Sequence, residues 1–228
     1  MKLVIGNKNY SSWSLRPWLL LRQAGVDFEE IPVSLFAPGS AEQIARYSPA
    51  AKVPVLIDGS VVVWDSLAIS EYVAERLPEK RLWPADPAER AHARAICAEM
   101  HAGFANLRSQ LPMNATAVLP GRGWNVAVQR DVERVARIWG ELRERNAARG
   151  PFLFGDFTVA DAYYAPVVSR FATYGIHLPD AAKAYADFIL ALPSMQQWIA
   201  GARAEREFVV ADEPYRLAPE RADAIIIG

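Results

Sequence analysis
Cysteine is almost missing from this chain of 228 residues: Cys97 stands alone. An intramolecular disulfide, a Cys-x-x-Cys redox pair and a zinc site built mainly from thiolates are thereby excluded, and no metal is expected. A reducing cytoplasm is the simplest setting for such a chain. An excess of either charge is missing too. With 25 Lys and Arg against 26 Asp and Glu the formal net charge is −1, so nothing draws the chain as a whole to nucleic acid or to an anionic membrane. No apolar run is long enough to cross a bilayer, and Met1 to Gly6 is far too short for a signal peptide and reads as a first strand. Internal repeats and low-complexity stretches are also lacking. What these absences leave is a small neutral or mixed-charge ligand as the natural partner.

The chain is long enough to bury a substantial core, in one large domain or two modest ones, and its patterning favours two. Short apolar strands are expected at Lys2 to Gly6, Phe28 to Val33, Val55 to Ile57 and Val61 to Trp64, with Asp58-Gly59-Ser60 turning the last two into a hairpin. Helices are expected over Ser14 to Ala24, Ala41 to Tyr47 and Leu67 to Leu77. The order βαβα followed by ββα is the thioredoxin-like arrangement, a mixed sheet with helices on its faces. Leu77-Pro78, Trp83-Pro84 and Asp86-Pro87 punctuate a linker, beyond which only helical spacing recurs. One apolar stripe holds Ile96, Met100, Phe104, Leu107 and Leu111; another holds Val128, Val132, Val135, Trp139 and Leu142. The expected architecture is therefore a thioredoxin-like domain over 1–78, a linker over 79–86, and an all-helical domain with an extended tail over 87–228. Its class is α/β plus all-α.

Four segments carry residues whose types suit chemistry, each with an ordinary structural alternative. Lys52-Val53-Pro54 places a proline at the start of an apolar strand. A cis bond there turns the Val53 N–H and C=O outward, where an extended peptide can pair with them, whereas a trans bond would make Pro54 an ordinary strand initiator. Asp65-Ser66 opens a helix, with Ser66 expected at the N-cap. Capping alone explains the serine, yet a helix N-terminus beside an acid also grips a free α-amino acid end. Tyr10-Ser11-Ser12-Trp13-Ser14 is a hydroxyl-rich turn leading into the first helix. Its serines cap that helix or donate to a thiolate at the helix's positive end, and no histidine lies nearby in sequence to make one a nucleophile. Thr158-Val159-Ala160-Asp161 has the form of a capping box, and Asp161 is read as architecture, not as a general base. Pro166, inside the helix that follows, is expected to kink it.

These features, in this order from Leu3 to about Trp198, resemble the cytosolic glutathione transferases. The family's cis-proline, acid–serine pair and helical capping box would be Val53-Pro54, Asp65-Ser66 and Thr158 to Asp161. Asp65 stands where Glu or Gln is more usual. Ser11-Ser12-Trp13-Ser14-Leu15-Arg16 is most similar to the zeta-class pattern, and Ala24 to Glu29 continues the likeness. Trp13 stands where zeta enzymes have cysteine, and Pro17-Trp18 replaces the residues that usually follow the arginine.

The resemblance implies glutathione as cosubstrate, bound by Lys52, Val53, Pro54, Asp65 and Ser66. Ser11 would donate to the thiolate, with Ser12 as the close alternative. A small apolar electrophile would sit against Trp13, His101, Phe104, Leu107 and Arg108, with Leu111 and Trp124 nearby; His101 has a solvent-facing alternative, and Lys52 that of a solvated surface lysine. Glutathione transfer is the first expected activity. The second is zeta-like, glutathione-dependent cis-trans isomerisation of a maleyl diacid, for which Arg16 and Arg108 are the candidate basic residues. The third is a non-catalytic binding or regulatory module of the same fold. A homodimer is also implied, and the apolar end Ile225-Ile226-Ile227 is expected to pack over the active site or across the dimer.

Overall fold
Three consecutive apolar residues, Leu3, Val4 and Ile5, need cover on both sides, and in the computed structural model, which describes residues 1–228, all three are buried in an inner strand. That strand is β1 (Lys2–Ile5). It pairs in parallel with β2 (Glu29–Pro32) and antiparallel with β3 (Val55–Asp58), which pairs antiparallel with β4 (Val61–Val63). The sheet order is β2-β1-β3-β4. Alternation along β1 and β3 sends Leu3, Ile5 and Leu56 to one face, where the main core lies. Val4 and Val55 go to the other, beneath Val33 and Ile44. Ile44 belongs to α2 (Ser40–Ala45), and the main face is covered by α1 (Ser12–Gln23) and α3 (Ser66–Arg76).

Helix α1 is buried without a break from Ser14 to Leu21, Ser14 and Arg16 included, because it is packed on both sides. One side meets the sheet and α3, and the other meets α7 (Val159–Tyr174) and α9 (Pro193–Ala204) of the helical region. The remaining helices are α4 (Pro87–Ala102), α5 (Ala105–Gln110), α6 (Val126–Asn146) and α8 (Asp180–Ala191). The stripe from Ile96 to Leu111 is buried as expected but spans two helices. Gly103, where a Cβ would come within 2.7 Å of the Glu99 carbonyl, and Phe104 in the left-handed region (φ 56°) turn the chain between α4 and α5. Val128, Val132, Val135, Trp139 and Leu142 form the buried face of α6. Helix α7 runs through Pro166 from Val159 to Tyr174 as one element, and Thr158 and Asp161 make the capping box at its start.

The second half is not helical to its end. Strand β5 (Glu207–Val209), followed directly by a short 3₁₀ turn at Val210–Asp212, pairs in parallel with β6 (Ile225–Ile227). Three-residue strands leave no periodic trace in a sequence. Of the terminal isoleucines only Ile227 is buried, with Tyr10 and Val209. The tail therefore grips the loop after β1. The Glu205 carboxylate accepts from the Lys8 and Asn9 backbone N–H groups. Glu213 accepts from the Tyr10 hydroxyl (2.8 Å), the Asn114 amide (2.7 Å) and Arg216.

Burial pushes the Glu205 carboxyl up to about 7. The folded chain thus holds this proton more tightly than the unfolded chain does. Glu205 contributes most to stability below the ordinary carboxylate range, and that contribution is lost as pH rises through about 7. Glu205→Gln should flatten the decline in urea midpoint between pH 5 and 8; an unchanged slope would assign the decline to other groups.

Candidate active site
The serine turn sits where β1 leads into α1. Ser11 is the N-cap: its Oγ accepts from Ser14 N (3.3 Å) and lies 2.7 Å from Ser14 Oγ, which in turn accepts from Gly6 N (3.1 Å). Ser11 is buried, and Ser12, the first helical residue, is half-buried. Across from them the Val53–Pro54 peptide is cis, as is Trp64–Asp65. The N–H and C=O of Val53 take no hydrogen bond within the chain, which fits a partner strand supplied from outside.

Asp65, not Ser66, is the N-cap of α3, its Oδ1 accepting from Leu67 N at 3.0 Å. Packing against α7 decides which of these two good capping residues serves. Ser66 is already inside the helix and fully buried, and its Oγ is 3.0 Å from the Tyr163 hydroxyl of α7. Asp65 keeps its second oxygen toward solvent and 3.3 Å from His101 Nε2. His101 faces this site and not open water: its Nδ1 is 3.3 Å from Tyr163 Oη, and its ring meets Trp13 edge-on at 5.2 Å. An aspartate, a histidine, a tyrosine and a serine thus form one hydrogen-bonded path between the two halves of the chain.

Trp13, Lys52, Val53, Pro54, Asp65, Ser66, His101 and Arg108 line one cavity of about 350 Å³. A second, of about 540 Å³, shares Trp13, Lys52, Val53 and Arg108 with it and adds Ser11, Ser12, Met113, Arg170 and Asp212. Ten of the twelve site residues expected from sequence therefore face one continuous site. Phe104 and Leu107 do not. They lie in the main core, because the turn at Gly103 and Phe104 rotates α5 inward, and Leu111 lies there with them. Trp124 lines a separate groove with Gln129 and His177.

The site is strongly basic. Arg16 is 1% exposed, lies 4.2 Å from the Trp13 ring and 4.4 Å from that of Tyr163, and leaves its Nε and Nη1 without a hydrogen-bond partner. Arg108 covers Trp13 at 4.5 Å. Burial pushes the Arg16 guanidinium down to about 10 and lowers that of Arg108. For Arg170, burial together with repulsion from Arg16 and Arg108 brings it to about 9. All three remain cations at neutral pH, and none forms a salt bridge within the chain. Asp212, which burial and Glu213 raise to about 6, is the carboxylate on the rim. Sequence reading missed Arg170, Tyr163 and Asp212. A signal existed for the first: Arg170 is a lone cation in the otherwise uncharged run from Ala162 to Tyr174.

A mixed four-stranded sheet with unpaired backbone groups beside a cis-proline, closed by a helical region that brings cations to a serine turn, defines a two-domain protein of the thioredoxin-like class. Known proteins make the class specific. Residues 10–76 match the family model for the glutathione S-transferase N-terminal domain and residues 125–201 that for its C-terminal domain. A probable maleylacetoacetate isomerase of Caenorhabditis elegans is 34% identical over 161 residues, 69% of this chain and 72% of that protein. The maleylacetoacetate isomerase of Pseudomonas aeruginosa is 28% identical over 212 residues, 86% and 94% of the two chains. Among solved structures, a glutathione transferase homolog from Burkholderia with bound glutathione superposes with a TM-score of 0.66 at 25% identity, over 89% of this chain and 97% of that one. The chain belongs to the glutathione S-transferase family of glutathione-dependent enzymes, on its zeta-like side.

Proposed function
We propose that the chain binds glutathione along the Val53 edge and uses its thiolate to attack an unsaturated electrophile that carries a carboxylate. In this reading residues 1–78 are the glutathione-binding part, 79–86 the linker and 87–228 the helical part. The γ-glutamyl end lies toward Asp65 and Ser66, the glycyl carboxylate toward Lys52, and the thiol at the Ser11–Ser12 turn. A free thiol with pKa about 8.5 is only a few per cent ionised at neutral pH. Lowering that value by about two units takes about 2.7 kcal/mol of preferential thiolate stabilisation, within the reach of one charge-assisted hydrogen bond at a helix N-terminus surrounded by cations.

The observation that carries the electrophile's class is the set of cations without salt bridges, Arg108 and Arg170 on the cavity wall with Arg16 behind Trp13. A purely apolar electrophile gives these charges nothing to pair with, so the expectation of a small apolar substrate narrows to one with an anionic end. The sulfur would bond to the β-carbon while the π pair moves toward the carbonyl. A proton at the α-carbon then completes a conjugate.

Isomerisation is the second reading, favoured by the same arginines and by the maleyl substrates that the relatives' names carry. There the adduct would rotate about its new single bond and expel the thiolate, so that no glutathione is consumed. Assays on a maleyl diacid, following glutathione loss and product geometry together, separate the two.

Calorimetric titration with glutathione tests the cosubstrate; no heat of binding would turn the reading toward a non-catalytic module. Asp65→Ala should raise the KM for glutathione about 10-fold or more with a smaller change in kcat, since it removes a contact to a part of the cosubstrate remote from the reacting sulfur. An equal fall in kcat at unchanged KM would remove Asp65 from the binding role. A homodimer belongs to the same reading, and sedimentation equilibrium tests it.

A further inference from the structure
The two serines of the turn are not equivalent, and the difference lies in where their hydroxyl hydrogens are used. Ser11 Oγ caps α1 and is bonded to Ser14 Oγ, so its polar contacts point back into the fold. Both serines line the larger cavity, but Ser12 Oγ accepts from Nη2 of Arg170 at 3.3 Å. A hydroxyl offers one donor and two acceptor positions, so an oxygen that accepts from a guanidinium keeps its own hydrogen free. Arg170 is held in that orientation. It is 5% exposed, its Nε donates to the Leu111 carbonyl at 2.8 Å, and its Nη1 donates to the Pro166 carbonyl at 3.3 Å, one turn back along α7.

We propose that Ser12 is the hydroxyl that donates to the glutathione thiolate, and that Arg170 is its positioning residue, aiming the hydroxyl and making it a stronger donor from the far side. The proposal rests on glutathione being the cosubstrate. The guanidinium is one hydrogen bond removed from the sulfur, so its charge also favours the ionised thiol. No covalent step is added; one proton leaves the thiol for solvent. The charged and titratable groups facing Arg170 are Arg16 of α1, Arg108 of α5, Tyr174 of its own helix and Asp212 of the 3₁₀ turn. Two repel it, and Asp212 offsets part of that repulsion.

The test is a thiolate-absorbance titration of bound glutathione in the full chain. Ser12→Ala should raise the ionisation pH by about one to two units and Ser11→Ala by less than half of that, following the strength of a charge-assisted bond. Arg170→Gln should raise it by about one unit, and Arg170→Lys should restore part of the loss. Combined with Ser12→Ala, Arg170→Gln should add clearly less than it does alone, because only the direct effect of its charge remains once the serine is gone. A larger shift for Ser11→Ala would overturn the assignment, as would full additivity of the double variant. So would an Arg170→Gln chain that titrates normally and only raises the KM of an anionic electrophile. Should Arg170→Gln fail to fold, the two serine variants and Arg170→Lys decide the matter. Wild-type chain that binds no glutathione would overturn the underlying function and this assignment with it, whereas binding with the wrong serine order overturns the assignment alone.

Discussion

Asp161→Ala should cost the fold about 3–5 kcal/mol. One carboxylate serves four donors in a fully buried place. Its Oδ2 accepts from Thr158 N (2.8 Å) and Thr158 Oγ1 (3.2 Å), and its Oδ1 from Leu153 N (3.0 Å) and Tyr185 Oη (3.1 Å). Truncation leaves these donors facing an apolar void, at about 1–3 kcal/mol for each that finds no water. The loss of an N-terminal cap adds about 1 kcal/mol. Part of the sum is offset, because burial raises this carboxyl to about 6 and so opposes its own charge. Asp161→Asn keeps one acceptor oxygen and should lose roughly half as much. Urea unfolding followed by the fluorescence of the chain's seven tryptophans reads the difference, Trp139 beside Tyr185 at 5.1 Å among them. A loss below about 1 kcal/mol would mean that desolvation cancels the four bonds.

The second large effect is expected at Glu213, whose role in the tail is comparable. Glu213→Ala strands the Asn114 amide, leaves the Tyr10 hydroxyl only the longer contact to the Glu207 carbonyl and leaves Arg216 only the exposed Glu220, and breaking a buried pair from one side typically costs about 3–5 kcal/mol. Its consequence reaches beyond stability, because Tyr10 immediately precedes the serine turn. Turnover should fall at least about 10-fold, since a displacement of about an ångström at a reacting group is enough for that. Glu213→Gln, which can still accept from Tyr10, should recover most of the turnover while remaining less stable than the parent. Comparing kcat with the urea midpoint for the two variants separates positioning from mere unfolding. If both fell in strict proportion, the tail would be a brace and nothing more.

How much of this was legible in the sequence depended on distance along the chain. Val53-Pro54, the capping box at Thr158 and Asp161, and the stripe from Val128 to Leu142 are local patterns, and each lies where the pattern placed it. The stripe from Ile96 to Leu111 predicted burial correctly but not the turn inside it. Burial depends on composition, whereas the break depends on the backbone torsions of Gly103 and Phe104. Ser66 was expected one position too early in its helix because Asp65 and Ser66 are both good caps, and only packing against Tyr163 decides between them. Ser12 and Arg170 are separated by 158 positions, and no local rule links them. The strands of the tail escaped for another reason: they are three residues long and bury only one of the terminal isoleucines.

Helix α1 carries the serine turn at its start, while its body is wrapped by the sheet on one side and by α7 and α9 on the other. For anyone wishing to exchange halves between relatives, this sets the terms. A grafted helical half would have to match Leu15, Trp18 and Leu19 as closely as a native core does, and it would bring its own version of residue 170 to the serine turn. An excised sheet half would expose a continuous oily flank and should precipitate on expression. Ancestral shuffling of the two halves would meet the same barrier. New substrate preferences are more readily reached by point changes on α5 and α7 than by wholesale replacement of the helical region.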